Sequence, residues 1–210
     1  FSTVILACRD AGRGTAAAAE VGGVFMPLVV GDADSAISLA NAVRESYGRC
    51  DCLVNNAAIA FKQADPTPFE QQTKPTLHVN YFGTAQVTQA MLPLLLESSE
   101  DPRIVNVASM AGKLRQVSAQ KQKQFSSPTL DMSGLDALVN QFIDDVAARG
   151  AEGISSLGWG RSNYGLSKLA VIAMTRIYAR LHPSLRVNSV CPGYCNTDMS
   201  SHRGTRSASD

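Results

Sequence analysis

The chain is poor in the residues that build metal sites and disulfide frameworks. It has three histidines, five cysteines and one tryptophan in 210 residues, and aromatics make up 6%. His78, His182 and His202 are scattered, and no C-x-x-C occurs. Cys50 and Cys52 would share one face of a strand, and Cys191 and Cys195 bracket a Pro-Gly turn. A zinc site needs third and fourth soft ligands at suitable spacing, and none is on offer, so no metal is expected and the thiols read as reduced, cytoplasmic cysteines. No apolar run approaches the length of a membrane span, and the chain shows no signal or transit pattern. A net charge of +1 argues against nucleic acid or an anionic membrane as the main partner. The first residues, FSTVILACRD, lack a methionine, and the last, SHRGTRSASD, read as a loop cut midway.

What is present is a globular composition, 45% hydrophobic and 18% charged, with enough chain for one sizeable core. Short apolar runs alternate with helical periodicity. TVILACR (3–9), VFMPLVV (24–30), CLVNNA (52–57), RIVNVAS (103–109) and RVNSVCPG (186–193) read as strands. Pro27 places the second run at an edge. Between them AGRGTAAAAEV reads as a helix ended by Gly22-Gly23. The segment after Asp34 reads as a helix with its stripe at Ile37, Ala40, Val43 and Tyr47. TLHVNYFGTAQVTQAMLPLLLES reads as a long helix with a kink at Pro93, and RSNYGLSKLAVIAMTRIYARL as another. This alternation predicts an α/β fold, a doubly wound parallel sheet covered on both faces. One stretch breaks the rhythm. Residues 112–158 read as a helical insertion within the single domain 1–210. Its helix buries Leu135, Leu138, Val139, Phe142 and Val146, with Asp131 or Ser133 as N-cap.

In an open parallel sheet, ligands sit beyond the carboxyl ends of the strands. Polar groups gather at those ends here: Arg9, Asn55-Asn56, Ser109, and the turn Pro192-Gly193. Tyr164 and Lys168 lie one helical turn apart, so both emerge from one face. An ammonium beside a phenol favours the phenolate and draws a pKa of about 10 toward working pH.

The set N-N-A, Asn80 in the long helix, V-N-V-A-S, Y-G-L-S-K and C-P-G resembles the short-chain dehydrogenase/reductase family. The insertion before the tyrosine, ACRDAGRG and FKQADPTPF make it similar to that family's NADPH-dependent carbonyl reductase branch. The resemblance implies a Rossmann-like fold and NADPH-dependent reduction of aldehydes, ketones or quinones. It implies Tyr164 as proton donor, Lys168 lowering its pKa and holding the nicotinamide ribose, Ser109 polarising the carbonyl, and Asn80 holding a water that links Lys168 to solvent. Arg9 and Arg13 would clamp the 2′-phosphate, since a planar guanidinium suits that dianion. Asp10 could be misread as the acid that NAD enzymes use. Asn56 would meet the adenosine ribose, and Cys195, Asn196 and Thr197 the carboxamide. Tyr194 and Phe61 would face the substrate, with Lys62 and Gln63 at the rim. Trp159 would pack the insertion onto the sheet. In such relatives the insertion covers the surface used for pairing, which implies a monomer.

The chain departs from the family's pattern in three places. Ala58 stands where glycine is usual. Val30 takes the place of the acid that meets adenine, with Asp32 two residues later. The usual first strand and its glycine-rich turn, which hold the pyrophosphate at a helix N-terminus, do not occur in the sequence, and GRG at 12–14 follows the wrong strand. A gap is therefore expected between the strands at 3–9 and 52–57, and residues 1–210 alone are expected to bind no NADPH. The alternative function is thus a catalytically inert fragment or a non-catalytic dinucleotide-binding protein of the same fold. A serine hydrolase is disfavoured, because G160-RSNY has Tyr164 where a G-x-S-x-G elbow needs glycine.

Overall fold

The computed structural model describes residues 3–62 and 64–207. Gln63, named above for the pocket rim, lies outside them. Five short parallel strands alternate with helices: β1 (Ile5–Cys8), α1 (Ala11–Glu20), β2 (Val24–Pro27), α2 (Ala33–Tyr47), β3 (Cys52–Asn55), α3 (Phe69–Leu77), α4 (Thr84–Leu96), β4 (Arg103–Val107), α5 (Ala119–Phe125), α6 (Met132–Gly153), α7 (Asn163–Leu181) and β5 (Arg186–Val190). The α/β class with parallel sheets is the one that the periodicity predicts.

The strands form two separate sheets. β1 pairs with β2, and β4 lies between β3 and β5. Among the described residues no ladder joins β1 to β3, which is the gap expected there. Pro27 closes β2 at an outer edge, where its missing N–H costs no ladder bond. Packing bridges the break instead. Met91 and Leu94 of α4 join the smaller core, formed with β2 and α2. Leu95 joins the larger core of α3, α6, α7, β4 and β5.

Two helices differ in detail from their sequence patterns. On α2 the buried stripe is Ala36, Leu39, Ala40 and Val43, whereas Ile37 and Tyr47 are exposed. The i, i+3, i+4, i+7 spacing of the first set holds a narrow face toward α4, and the stripe expected from Ile37 lies partly off it. The long helix is interrupted at His78–Gly83 by a π-helical turn, while α4 runs on through Pro93 to Leu96. The insertion helix buries the five residues named for it. Asp131 is its N-cap and accepts from Gly134 N.

Trp159 is buried and ties the insertion together. Its indole N–H donates to Asp145 Oδ2 at 2.7 Å, Phe125 and Phe142 meet it edge-on, and the Lys121 ammonium sits 3.9 Å from its ring centroid. An ammonium over an indole face is attracted by the ring quadrupole, and Lys121 also donates to Gln141 Oε1 at 2.9 Å.

Candidate active site

α7 starts where it does because Ser162 caps it, accepting from Gly165 N at 2.9 Å. Asn163, buried, then fastens that first turn to α3. It donates to Phe69 O at 2.9 Å and accepts from the Thr73 hydroxyl at 2.8 Å. These contacts fix the direction in which Tyr164 leaves the helix, toward the end of β4. There the Tyr164 phenol comes near the Ser109 side chain, which acts to lower the phenol's pKa. Ser109 also accepts from Ala111 N and so starts the short 3-10 turn Met110–Gly112. A Cβ on Gly112 would stand 2.8 Å from the Lys168 carbonyl carbon. Only glycine lets this loop lie so close to α7.

Lys168 is 3% exposed, and its ammonium donates to Val107 O at 2.7 Å. It lies 5.7 Å from the Tyr164 ring centroid. The phenol pKa is raised, not lowered as the Tyr/Lys spacing predicts. Burial is the main cause, the Ser109 side chain opposes it, and the nearby Cys191 adds to it. The ammonium is directed at a strand carbonyl and does not reverse the burial effect. A phenol held protonated suits a proton donor.

Burial likewise lowers the Lys168 pKa, from 10.5 to about 8. The unfolded chain therefore holds the extra proton between those two values, and stability rises as pH climbs through that window. Below it the full penalty of the buried charge applies. Compared with Lys168→Met, the wild type is expected to gain about 3 kcal/mol between about pH 8 and about pH 10.5 in urea unfolding. A stability difference that stays flat across that range would contradict the buried ammonium.

Asn80 lies in the π-helical turn, a widened geometry that often marks functional positions. Its amide oxygen accepts from Ile59 N at 2.8 Å, and its NH2 donates to Ile59 O at 2.9 Å and to the Ser167 hydroxyl at 3.0 Å. The structure thus joins Asn80 to the segment after β3 and to α7, and not directly to Lys168. Ser167, fully buried, passes its own proton to Tyr164 O at 2.8 Å. Sequence reading missed this residue, although it stands inside Y-G-L-S-K. It also missed a polar tie beneath the site. Asn55 donates to Thr88 Oγ1 at 2.9 Å and to Asn106 Oδ1 at 2.8 Å, and Asn106 donates to Thr175 Oγ1 at 2.9 Å. Asn106 in the middle of a buried strand was the available signal, since a buried amide must find partners.

The remaining named residues follow the carboxyl ends of β1, β3 and β5. Arg9, after β1, is exposed. Arg13 pairs with Asp10 at 3.0 Å, and Asp10 is the N-cap of α1. The Asp10 carboxyl is held below its usual pKa by the Arg13 backbone N–H and then by its side chain. Asp32 in turn caps α2, accepting from Asp34 N and Ser35 N. Both acids are thereby occupied by helix starts. Asn56 is exposed after β3, Phe61 is half-buried beyond it, and Lys62 is exposed. After β5, Tyr194 is 55% exposed. Cys195 faces Pro192 O at 3.5 Å, Asn196 meets His202 at 3.0 Å, and Thr197 forms a capping box with Ser200. Among the described residues no group of three His, Cys, Asp or Glu side chains could hold a metal ion, and no helix is long and apolar enough to cross a membrane.

The chain is similar to several known proteins. The chain is 37% identical to carbonyl reductase (NADPH) 1 of Homo sapiens, across 97% of this chain and 76% of that protein. It is 36% identical to carbonyl reductase (NADPH) 3 of Rattus norvegicus, across 99% and 77%. Among solved structures, salutaridine reductase from Papaver somniferum superposes with a TM-score of 0.89 at 30% identity, covering 98% of this chain and 83% of that one. The model of the short chain dehydrogenase family matches residues 2–121 and 154–208, and the unmatched stretch between them holds all of α6. The chain belongs to the short chain dehydrogenase family.

Proposed function

We propose that the protein is an NADPH-dependent carbonyl reductase that converts aldehydes, ketones or quinones to alcohols or hydroquinones. The observation that carries this reading is the meeting of Tyr164 with the Ser109 side chain at the end of β4, with the buried Lys168 ammonium 5.7 Å from the Tyr164 ring centroid. Ser109 offers a hydroxyl to the substrate oxygen, where negative charge develops during reduction. Tyr164 gives that oxygen its proton, and its burial keeps the proton available until then. Lys168 supplies positive charge beside the phenolate left behind, which favours proton release in a poorly solvated setting. NADPH supplies the hydride when bound.

The residues present fit the two ends of that cofactor, whereas the glycine-rich turn for its pyrophosphate does not occur among them. Arg9 and Arg13 are both exposed beyond β1, a cation pair suited to a 2′-phosphate. Asp10, which would repel a phosphate if free, is engaged by α1 and Arg13. Asn56, Asn196 and Thr197 provide polar groups on the same edge for the ribose and carboxamide.

The test follows loss of NADPH absorbance with simple aldehydes, ketones and quinones, in the complete wild-type protein, since residues 1–210 alone are expected to bind no NADPH, and in its Arg9→Ala/Arg13→Ala double variant. The wild type should oxidise NADPH only when a carbonyl is present. The double variant should bind NADPH at least about tenfold more weakly, because charge-assisted bonds contribute about 1.5–3 kcal/mol each. Its NADH affinity should hardly move. Equal losses for both cofactors would refute the clamp, and a wild type inert toward every carbonyl would refute the activity.

A further inference from the structure

Gln116 joins the loop after β4 to the first turn of α7. Its amide nitrogen donates to Ala111 O at 2.8 Å, to Lys113 O at 3.2 Å and to Gly165 O at 3.1 Å. Two of these carbonyls belong to the loop that Ser109 begins, and the third to the residue after Tyr164. The nitrogen has two hydrogens, so three acceptors share them and converge on one point. A Cβ at position 165 would stand 2.6 Å from Gln116 Oε1, so glycine is what admits the amide to this place. Among the described residues, Gln116 supplies the hydrogen bond between this loop and the first turn of α7. The other flank of that turn already has its fastening, through Asn163 to α3.

We propose that Gln116 is a positioning residue that sets the separation of Ser109 and Tyr164 for carbonyl reduction, acting through backbone carbonyls on both sides. The proposal rests on the reductase reading. The step needs hydroxyl and phenol to meet the same substrate oxygen, and a displacement of about 1 Å can cost about a hundredfold in rate. Loss of the staple therefore affects turnover more than substrate affinity.

Two variants test it. Gln116→Met keeps length and bulk and removes both N–H donors. Gln116→Glu keeps the shape but turns an anionic oxygen toward three carbonyl oxygens, and protonation of that carboxyl returns one donor. In the carbonyl reduction assay, Q116M should lose about tenfold in kcat while KM for the carbonyl stays within about twofold. Q116E should lose more at about pH 8 and recover, relative to the wild type at the same pH, toward about pH 6. If Q116M fails to fold, the acid recovery of Q116E decides. A residue that only stabilises the fold would lower the melting temperature, leave kcat of the folded protein unchanged in both variants and show no acid recovery. That result overturns the proposal. A wild type without activity would remove the reductase reading and this role with it. An active wild type with kcat kept in Q116M would remove this role alone.

Discussion

Tyr164→Phe is expected to lower kcat for carbonyl reduction by about two orders of magnitude or more, because it removes the proton donor and keeps the ring. The phenol's surroundings make this a clean substitution. The ring is half-buried at the start of α7, and its neighbours Asn163 and Gly165 make their contacts through atoms that the substitution leaves alone. NADPH affinity should stay within a few-fold of the wild type, so that the loss falls on the chemical step. Steady-state kinetics with parallel cofactor titration separates the two. Near-normal turnover in this variant would mean that another group, or water, delivers the proton.

Phe142→Ala is expected to give the largest loss of stability, about 3–5 kcal/mol, the range for removing a fully buried aromatic. Phe142 has no exposed surface. It lies in the middle of α6, edge-on to Trp159 at 5.4 Å between ring centroids, in the core that α6 shares with α3 and α7. The cavity would open beneath the two helices that set the direction of Tyr164. Equilibrium urea unfolding should show the lower midpoint. A loss below about 1 kcal/mol would mean that the insertion packs loosely and can collapse onto the space.

The fold class was legible because apolar runs of strand length alternate with helical stripes, and because the polar ends of those runs converge on one edge. Tyr164 and Lys168 could be placed on one face from their spacing, Ser109 at the end of a strand, and Asp131 as an N-cap before an apolar stripe. Other features were hidden for identifiable reasons. The buried face of α2 was misread because Ile37 and Tyr47 are more apolar than the alanines that pack, and close helix contact selects small residues over large ones. The π-helical turn at His78–Gly83 has no local signal, whereas Pro93 does, yet the helix continues past the proline. The raised Tyr164 pKa could not be read from Y-x-x-x-K. Spacing shows that two side chains share a face, but not that the ammonium turns to Val107 O. The same holds for Gln116, whose three carbonyl partners are set by tertiary folding.

The single tryptophan has an optical consequence. Trp159 is 3% exposed, bonded through its N–H to Asp145 and covered by the Lys121 ammonium. Indole emission from this protein therefore reports the docking of α5 and α6, and not the surroundings of Ser109 and Tyr164. The nearby cation should shift the emission colour as well as its intensity, so undocking of the insertion would be read as a spectral change. Unfolding followed by this emission and unfolding followed by far-ultraviolet circular dichroism sample different volumes of the molecule. Coincident curves would mark the insertion as part of one cooperative unit with the sheets. An earlier indole transition would mark it as a separately melting cap.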